Sequence, residues 1–387
     1  METSSAGRPL RIAIVAGEPS GDQLGAALIQ ALRERAPDAT IFGIAGPQMR
    51  AAGCQDWYRA EQLAVMGLVE VIPHLPRLLR IRRGLLRRLL DDPPDVYVGV
   101  DFKEFNLSVA RRLKAAGIRT VQYVSPQVWA WRERRVRTIA TACDLMLCLL
   151  PFEPAFYAQH AVQARFVGHP LADQIPLDVD RAAARRALGL PVEGTVVALL
   201  PGSREGEVAR LGADFVGAAR ALDAGRRNVT FIAPMANAQA RALFEGAGAA
   251  NTRIAMIDGQ ARLALQAADV ALVASGTASL ESLLCGCPMV VAYRLGWLTA
   301  FLLRALRLVR LPYFSLPNWL AGESLVPEFF QEAVTGPALG AALQSQLDDP
   351  VRRAALTARF RAIHETLRCG GAGQAAAAVL ELARRRP

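Results

Sequence analysis

The chain has 387 residues, 52% of them hydrophobic, and its 45 Lys and Arg against 35 Asp and Glu leave a formal net charge of +10. That length argues for two domains rather than one, and the composition excludes a disordered or fibrous chain. No apolar run is long enough to span a bilayer, Ile12 to Ala16 is too short for the core of a signal peptide, and the basic excess suggests an anionic partner: nucleic acid, an anionic membrane surface or a phosphorylated substrate.

In chain order, RIAIVAG reads as a strand and DQLGAALIQALRER as the helix after it, and TIFGIAG, DVYVGVD, TVQYVSP and ACDLMLCLLP read as further strands. Within this series, His74 to Leu90 gathers Leu75, Leu78, Leu79, Leu85, Leu86, Leu89 and Leu90 on one helical arc. Arg77, Arg80, Arg83, Arg87 and Arg88 fall opposite, and Arg82 intrudes into the apolar arc. Residues 165–180 carry turn signals around Gly168 and read as the exit from a domain. The alternation then restarts with TVVALLPGSR, VTFIAP, TRIAMIDG, DVALVASG and PMVVAYR. Trp297 to Arg310 is a second amphipathic stretch, with Arg304, Arg307 and Arg310 together on one side.

Strands alternating with helices imply parallel sheets covered on both faces. The expected fold class is α/β, with two Rossmann-like domains facing a cleft. The expected divisions are 1–170, a linker at 171–190, 191–345, and C-terminal helices at 346–387 that pack back on the first domain. The six cysteines show no metal spacing, Cys285-Gly-Cys287 coming nearest, and read as thiols of a reducing compartment. The only D-x-D, Asp178-Val-Asp180, falls in the linker, so no metal and no cofactor is expected.

Ligands of such sheets bind beyond the carboxyl ends of the strands, so the loops there carry the interest. In SGTASLE, residues Ser275, Gly276, Thr277, Ala278 and Ser279 either present backbone N–H groups to a phosphate at a helix start or simply cap that helix. Glu281 either accepts from ribose hydroxyls or favours the first turn. Gly202, Ser203 and Arg204 form a second loop suited to phosphate, with a planar guanidinium for a diphosphate. Neither loop is a Walker A or a G-x-G-x-x-G, which favours a nucleotide-sugar over ATP or a dinucleotide. In the first domain Glu18, Ser20, Gly21 and Asp22 are candidates for an acceptor site, and Asp101, with Glu104 and Asn106 behind it, for a general base at a strand end. Ser125, with Trp129 and Trp131, offers either a sugar or acyl contact surface or core packing.

Taken together, AGEPSGD, GVDFKEFN, YVSPQVWAWR, FVGHP, LLPGSR, ASGTASLE and LPNWLAGESLVPEFFQE resemble the lipid-A-disaccharide synthase family, from Arg11 to about Gln331. The resemblance implies a GT-B type inverting glycosyltransferase. Its substrates would be UDP-2,3-diacylglucosamine and 2,3-diacylglucosamine 1-phosphate, and its product a β-1,6-linked disaccharide. It adds Asn318 and Glu323 to the donor side. Phe102-Lys103-Glu104 stands where the family commonly has Ala-Pro-Asp, which puts a role for Glu104 in doubt. Rival readings are a UDP-N-acetylglucosamine 2-epimerase, the glucosaminyltransferase of the peptidoglycan lipid intermediate, and a nonenzymatic membrane- or nucleic-acid-binding protein. Acylated substrates turn the two amphipathic stretches, Leu75 to Leu90 and Trp297 to Arg310, towards an anionic membrane surface rather than nucleic acid. The expected location is the cytoplasmic face of the inner membrane. The oligomeric state is open, a homodimer included.

Overall fold

The computed structural model describes residues 8–63, 71–128, 135–296 and 312–385, with side chains described from Pro76 onward in the helix that begins at Val71. Trp129, Trp131 and the stretch Trp297 to Arg310 lie outside the described residues. The chain forms two compact units, one of Met1–Asp173 with Leu367–Pro387 and one of Gln174–Thr366.

The first unit is built on a seven-stranded parallel sheet. Its strands are β1 (Arg11–Ala16), β2 (Thr40–Ala45), β3 (Gln55–Arg59), β4 (Val96–Val100), β5 (Arg119–Tyr123), β6 (Leu145–Cys148) and β7 (Ala164–Phe166), in the order β3-β2-β1-β4-β5-β6-β7. β1 and β4 are almost wholly buried, as continuous apolar runs must be when helices cover both faces. The edge strands β3 and β7 carry exposed polar residues and were not among the expected strands.

Helices α1 (Pro19–Arg35), α2 (Pro47–Ala51), α3 (Val71–Asp91) and α4 (Lys103–Ala115) follow β1, β2, β3 and β4. The leucine arc of α3 corrects one expectation. Ile81, Leu85 and Leu89 are buried in the core with Tyr97, Phe105 and Val109, and Leu78 and Leu86 pack against them. Each fully buried leucine contributes about 1.5–3 kcal/mol, and a side chain committed to the core cannot also enter an acyl layer. What α3 leaves outside is Leu90, at its end, and its arginine face: Arg77, Arg80, Arg83, Arg87 and Arg88 are exposed, Arg88 with its guanidinium 4.2 Å from the centre of the Trp57 ring.

The C-terminal helix Gly371–Arg384 completes this unit. Ala375, Ala376, Val379 and Leu380 join the core beneath α1. Asp173 accepts from the N–H groups of Gly370 (3.0 Å) and Gly371 (2.8 Å) and so caps the helix start. Arg119 donates to the carbonyl of Leu382 (2.7 Å), near the helix end.

The second unit has six parallel strands: β8 (Thr195–Leu200), β9 (Val229–Met235), β10 (Ile254–Asp258), β11 (Val270–Ala274), β12 (Met289–Tyr293) and β13 (Glu328–Phe330), in the order β10-β9-β8-β11-β12-β13. The stretch expected as a linker is only partly one. Arg181–Ala187 is helical, and Arg185, 4% exposed, donates to the carbonyls of Ala267, Val192 and Gly194 and to Asp269 (2.7 Å). A guanidinium with that many partners ties the segment to the second unit, whose boundaries fall at Gln174 and Thr366 instead of 191 and 345.

Each strand order reverses direction once, between β1 and β4 in the first sheet and between β8 and β11 in the second. Such switch points open a crevice at the carboxyl ends of the two strands involved.

Candidate active site

The first switch point collects most of the acceptor candidates. Ala16 pairs with Val100, so the loops leaving β1 and β4 start side by side. Asp101 and Phe102 follow with φ of 48° and 39°, two successive non-glycine residues in the left-handed region. Such conformations cost about 1–3 kcal/mol each and persist only where the surroundings enforce them. Here the Asp101 N–H donates to Tyr123 O (2.9 Å), and the Asp101 carbonyl accepts from Asn106 Nδ2 (3.0 Å) and Gln122 Nε2 (2.9 Å). The Phe102 ring lies over Gly17, where an added Cβ would stand 2.4 Å from it, so this position has room only for glycine. Ser20 Oγ, in the first turn of α1, donates to Asp101 Oδ2 (3.3 Å), and Gly21 packs against the Val100 carbonyl. Glu18 is the exposed N-cap residue of α1.

Three acceptor candidates do not face the crevice. Asp22 is 3% exposed and accepts from the N–H groups of Gln48 (2.9 Å) and Met49 (3.0 Å), capping α2. Asn106 is fully buried and bonds main-chain carbonyls and the Tyr97 hydroxyl. Ser125 is buried and shares a hydrogen bond with Tyr157. Glu104 pairs with Arg135 (2.6 Å) on the surface.

At the second switch point Leu200 pairs with Val273, so the Gly202–Arg204 and Ser275–Ser279 loops leave neighbouring strands together. Gly276 has φ 143°, and a Cβ there would meet nothing within 4 Å: the backbone at the start of the helix Thr277–Leu284 faces open space. The serine hydroxyls point elsewhere, Ser275 Oγ donating to Phe314 O and Ser279 Oγ to Gly276 O, both at 2.7 Å. Ala278 is half-buried and Thr277 exposed at the helix start. In the other loop, Glu207 accepts from the N–H groups of Ser203 (3.1 Å) and Arg204 (3.3 Å) and from Arg204 Nη1 (3.1 Å). This carboxylate, absent from the sequence reading, folds the loop and leaves the Arg204 guanidinium 85% exposed beside it. The signal was there, since Arg204 and Glu207 stand three apart at a helix start, the capping-box spacing.

Burial raises the Glu281 carboxyl above its ordinary value, with the Arg262 guanidinium pulling the other way. Tyr293, at the end of β12, was also missed. Burial raises its phenol and Glu207 adds to the shift, while Arg210 and Arg204 oppose it, so it shares the field of the Gly202–Arg204 loop. Asn318 is buried and closes its own loop through two bonds to the Val326 backbone (3.0 and 2.8 Å), and Glu323 is paired with Arg359 on the surface. Among the described residues no group of three or more His, Cys, Asp or Glu is placed to hold a metal. Asp178 is paired with Arg361 (2.6 Å), and Asp180 caps the helix Arg181–Ala187.

The lipid-A-disaccharide synthetase family model matches residues 12–379. The lipid-A-disaccharide synthase of Sodalis glossinidius is 53% identical over 98% of this chain and 99% of its own, and that of Pseudomonas aeruginosa strain UCBPP-PA14 is 52% identical over 97% and 99%. Among solved structures, the UDP-GlcNAc 2-epimerase of Neisseria meningitidis bound to UDP-GlcNAc aligns with a TM-score of 0.63 at 12% identity, covering 96% of this chain and 99% of that one. The MurG of Acinetobacter baumannii aligns with a TM-score of 0.59 at 14% identity, with the same coverage. These structures share the fold of two parallel-sheet α/β units, whereas the full-length relatives at about half identity discriminate within it, and by them this chain belongs to the lipid-A-disaccharide synthase family.

Proposed function

We propose that Asp101 is the general base of an inverting transfer. The 2,3-diacylglucosaminyl unit of UDP-2,3-diacylglucosamine passes to the 6-hydroxyl of 2,3-diacylglucosamine 1-phosphate. Asp101 takes the hydroxyl proton as the oxygen bonds to the anomeric carbon, and the bond from that carbon to the UDP oxygen breaks on the opposite face, which inverts the configuration. The backbone at residues 276–278 and the Arg204 guanidinium stabilise the charge that develops on the departing diphosphate, and Glu281 accepts from the ribose hydroxyls. Gly202 and Ser203 shape the Arg204 loop, while Glu18, Ser20 and Gly21 border the acceptor beside Asp101.

The observation that carries this reading is Asp101 itself: an acid at the switch point, in a strained backbone, bonded to a serine in the first turn of α1. Attachment to the membrane is reversible and electrostatic, through the arginine face of α3 at the cytoplasmic surface of the inner membrane, where each arginine contributes at most about 1 kcal/mol. The test is mass spectrometry of purified protein with both acylated monosaccharides. Disaccharide 1-phosphate together with UDP is the expected product. Epimerisation of UDP-N-acetylglucosamine in place of transfer overturns the reading.

A further inference from the structure

Behind Asp101 lies a polar cluster that touches no solvent. Tyr97 is fully buried, Asn106 likewise, and Gln122 is 1% exposed. Asn106 Nδ2 stands 3.2 Å from Val15 O, 3.3 Å from Val100 O and 3.0 Å from Asp101 O, spanning the carboxyl ends of β1 and β4. Gln122 Nε2, from β5, reaches the same Asp101 carbonyl at 2.9 Å. The three carbonyls only accept, which settles that the nitrogen end of the amide faces them, and the Tyr97 hydroxyl then donates to Asn106 Oδ1 at 2.9 Å. Burial holds the Tyr97 phenol well above its ordinary value, so it remains a donor. Gly99 makes room for the cluster: a Cβ there would lie 2.7 Å from Asn106 Cβ and 2.9 Å from Gln122 Oε1.

Packing alone does not account for this cluster. Gln122 Oε1 is buried without a hydrogen-bond partner, and an apolar side chain of similar size would avoid that penalty. The nitrogen of the same amide makes its shorter bond, 2.9 Å, to the carbonyl of Asp101, whose backbone is left-handed and whose side chain is the proposed base, and a longer one, 3.4 Å, to the carbonyl of Tyr123.

We propose that Tyr97, Asn106 and Gln122 are positioning residues for the transfer: Asn106, itself held by the Tyr97 hydroxyl, and Gln122 hold the Asp101 carbonyl and lock the backbone conformation that sets where its carboxylate stands. They touch no substrate and act through Asp101, so the inference rests on Asp101 being the base. Their loss lowers turnover and leaves the donor side untouched.

The test is a double-mutant cycle. Tyr97→Phe and Gln122→Leu are made alone and on an Asp101→Asn background, and kcat, donor KM, UDP affinity and Tm are measured for each. Each single variant is expected to lower kcat about tenfold, the rate equivalent of one lost hydrogen bond, with donor KM and UDP affinity unchanged. On the Asp101→Asn background neither is expected to lower the residual rate further, because the group they position is gone. Tyr97→Phe removes a single oxygen from the core and carries the test alone if Gln122→Leu fails to fold. Wild-type turnover in the folded single variants, with Asp101→Asn crippled, overturns the positioning and spares the base. Equal losses on both backgrounds also overturn it, since they report a general disturbance. Full turnover in Asp101→Asn alone overturns the base, and the positioning with it.

Discussion

Replacing Arg204 by alanine separates ligand binding from fold. The guanidinium is 85% exposed and its one described ion pair is with Glu207, three residues on, at 3.1 Å. Exposed pairs of this kind are worth about 0–1 kcal/mol, so Arg204→Ala is expected to leave Tm nearly unchanged. Against a bound diphosphate the same group makes a charge-assisted contact of about 1.5–3 kcal/mol, so UDP affinity is expected to fall about ten- to a hundredfold. Arg204→Lys restores part of that loss, because a point charge does not reproduce the planar fork. Calorimetric titration of UDP into the three proteins, beside thermal melts, reads both quantities. Unchanged UDP affinity in Arg204→Ala would refute the diphosphate assignment. A large fall in Tm would instead show that the Arg204–Glu207 pair holds the loop together.

Asp101→Asn is expected to keep UDP affinity while turnover falls about 10²–10⁴-fold, checked by product quantitation at saturating substrates. Leu85→Ala should cost about 3–5 kcal/mol in a denaturant melt, since Leu85 is fully buried. The variant with Arg77, Arg80, Arg83 and Arg87 changed to Gln should keep its Tm yet leave anionic vesicles in a cosedimentation assay, and equal cosedimentation would remove α3 from membrane attachment. Glu281 carries a sign that can be tested. Its carboxyl is raised on folding, so the folded state holds the proton longer, and stability falls as pH rises from the ordinary carboxylate value through the raised one. Glu281→Gln should flatten that part of the Tm–pH curve while weakening UDP binding, and a curve of unchanged slope would remove Glu281 as its source.

The core strands were legible because a parallel strand covered on both faces must be a continuous apolar run, as in RIAIVA of β1 and VALVA of β11. The strands QDWYR, ARF and EFF were not: QDWYR and ARF carry exposed polar residues that read as loop, and three residues, as in ARF and EFF, are too few to show an alternation. The loops that leave β1, β4, β8 and β11 were legible as glycine, hydroxyl and acid clusters after apolar runs. That those four strands form the two pairs flanking the switch points is a fact of sheet order, and no local pattern encodes it.

The sequence by itself determined the family, the alternation of strands and helices, and the loops where chemistry belongs, because these depend on residue type and short-range spacing. Only the tertiary structure decided which polar residues of those motifs face outward. Asp22 caps α2 while Ser20 of the same motif is exposed, Asn106 clamps Asp101 while Glu104 is exposed, and Asn318 closes its own loop while Glu323 is exposed. The leucine arc of α3 makes the same point: its periodicity reports an apolar face, and only the fold reveals that Tyr97, Phe105 and Val109 cover it. Where a side chain finds its partner depends on segments distant in the chain, and that information exists only once the sheet has assembled.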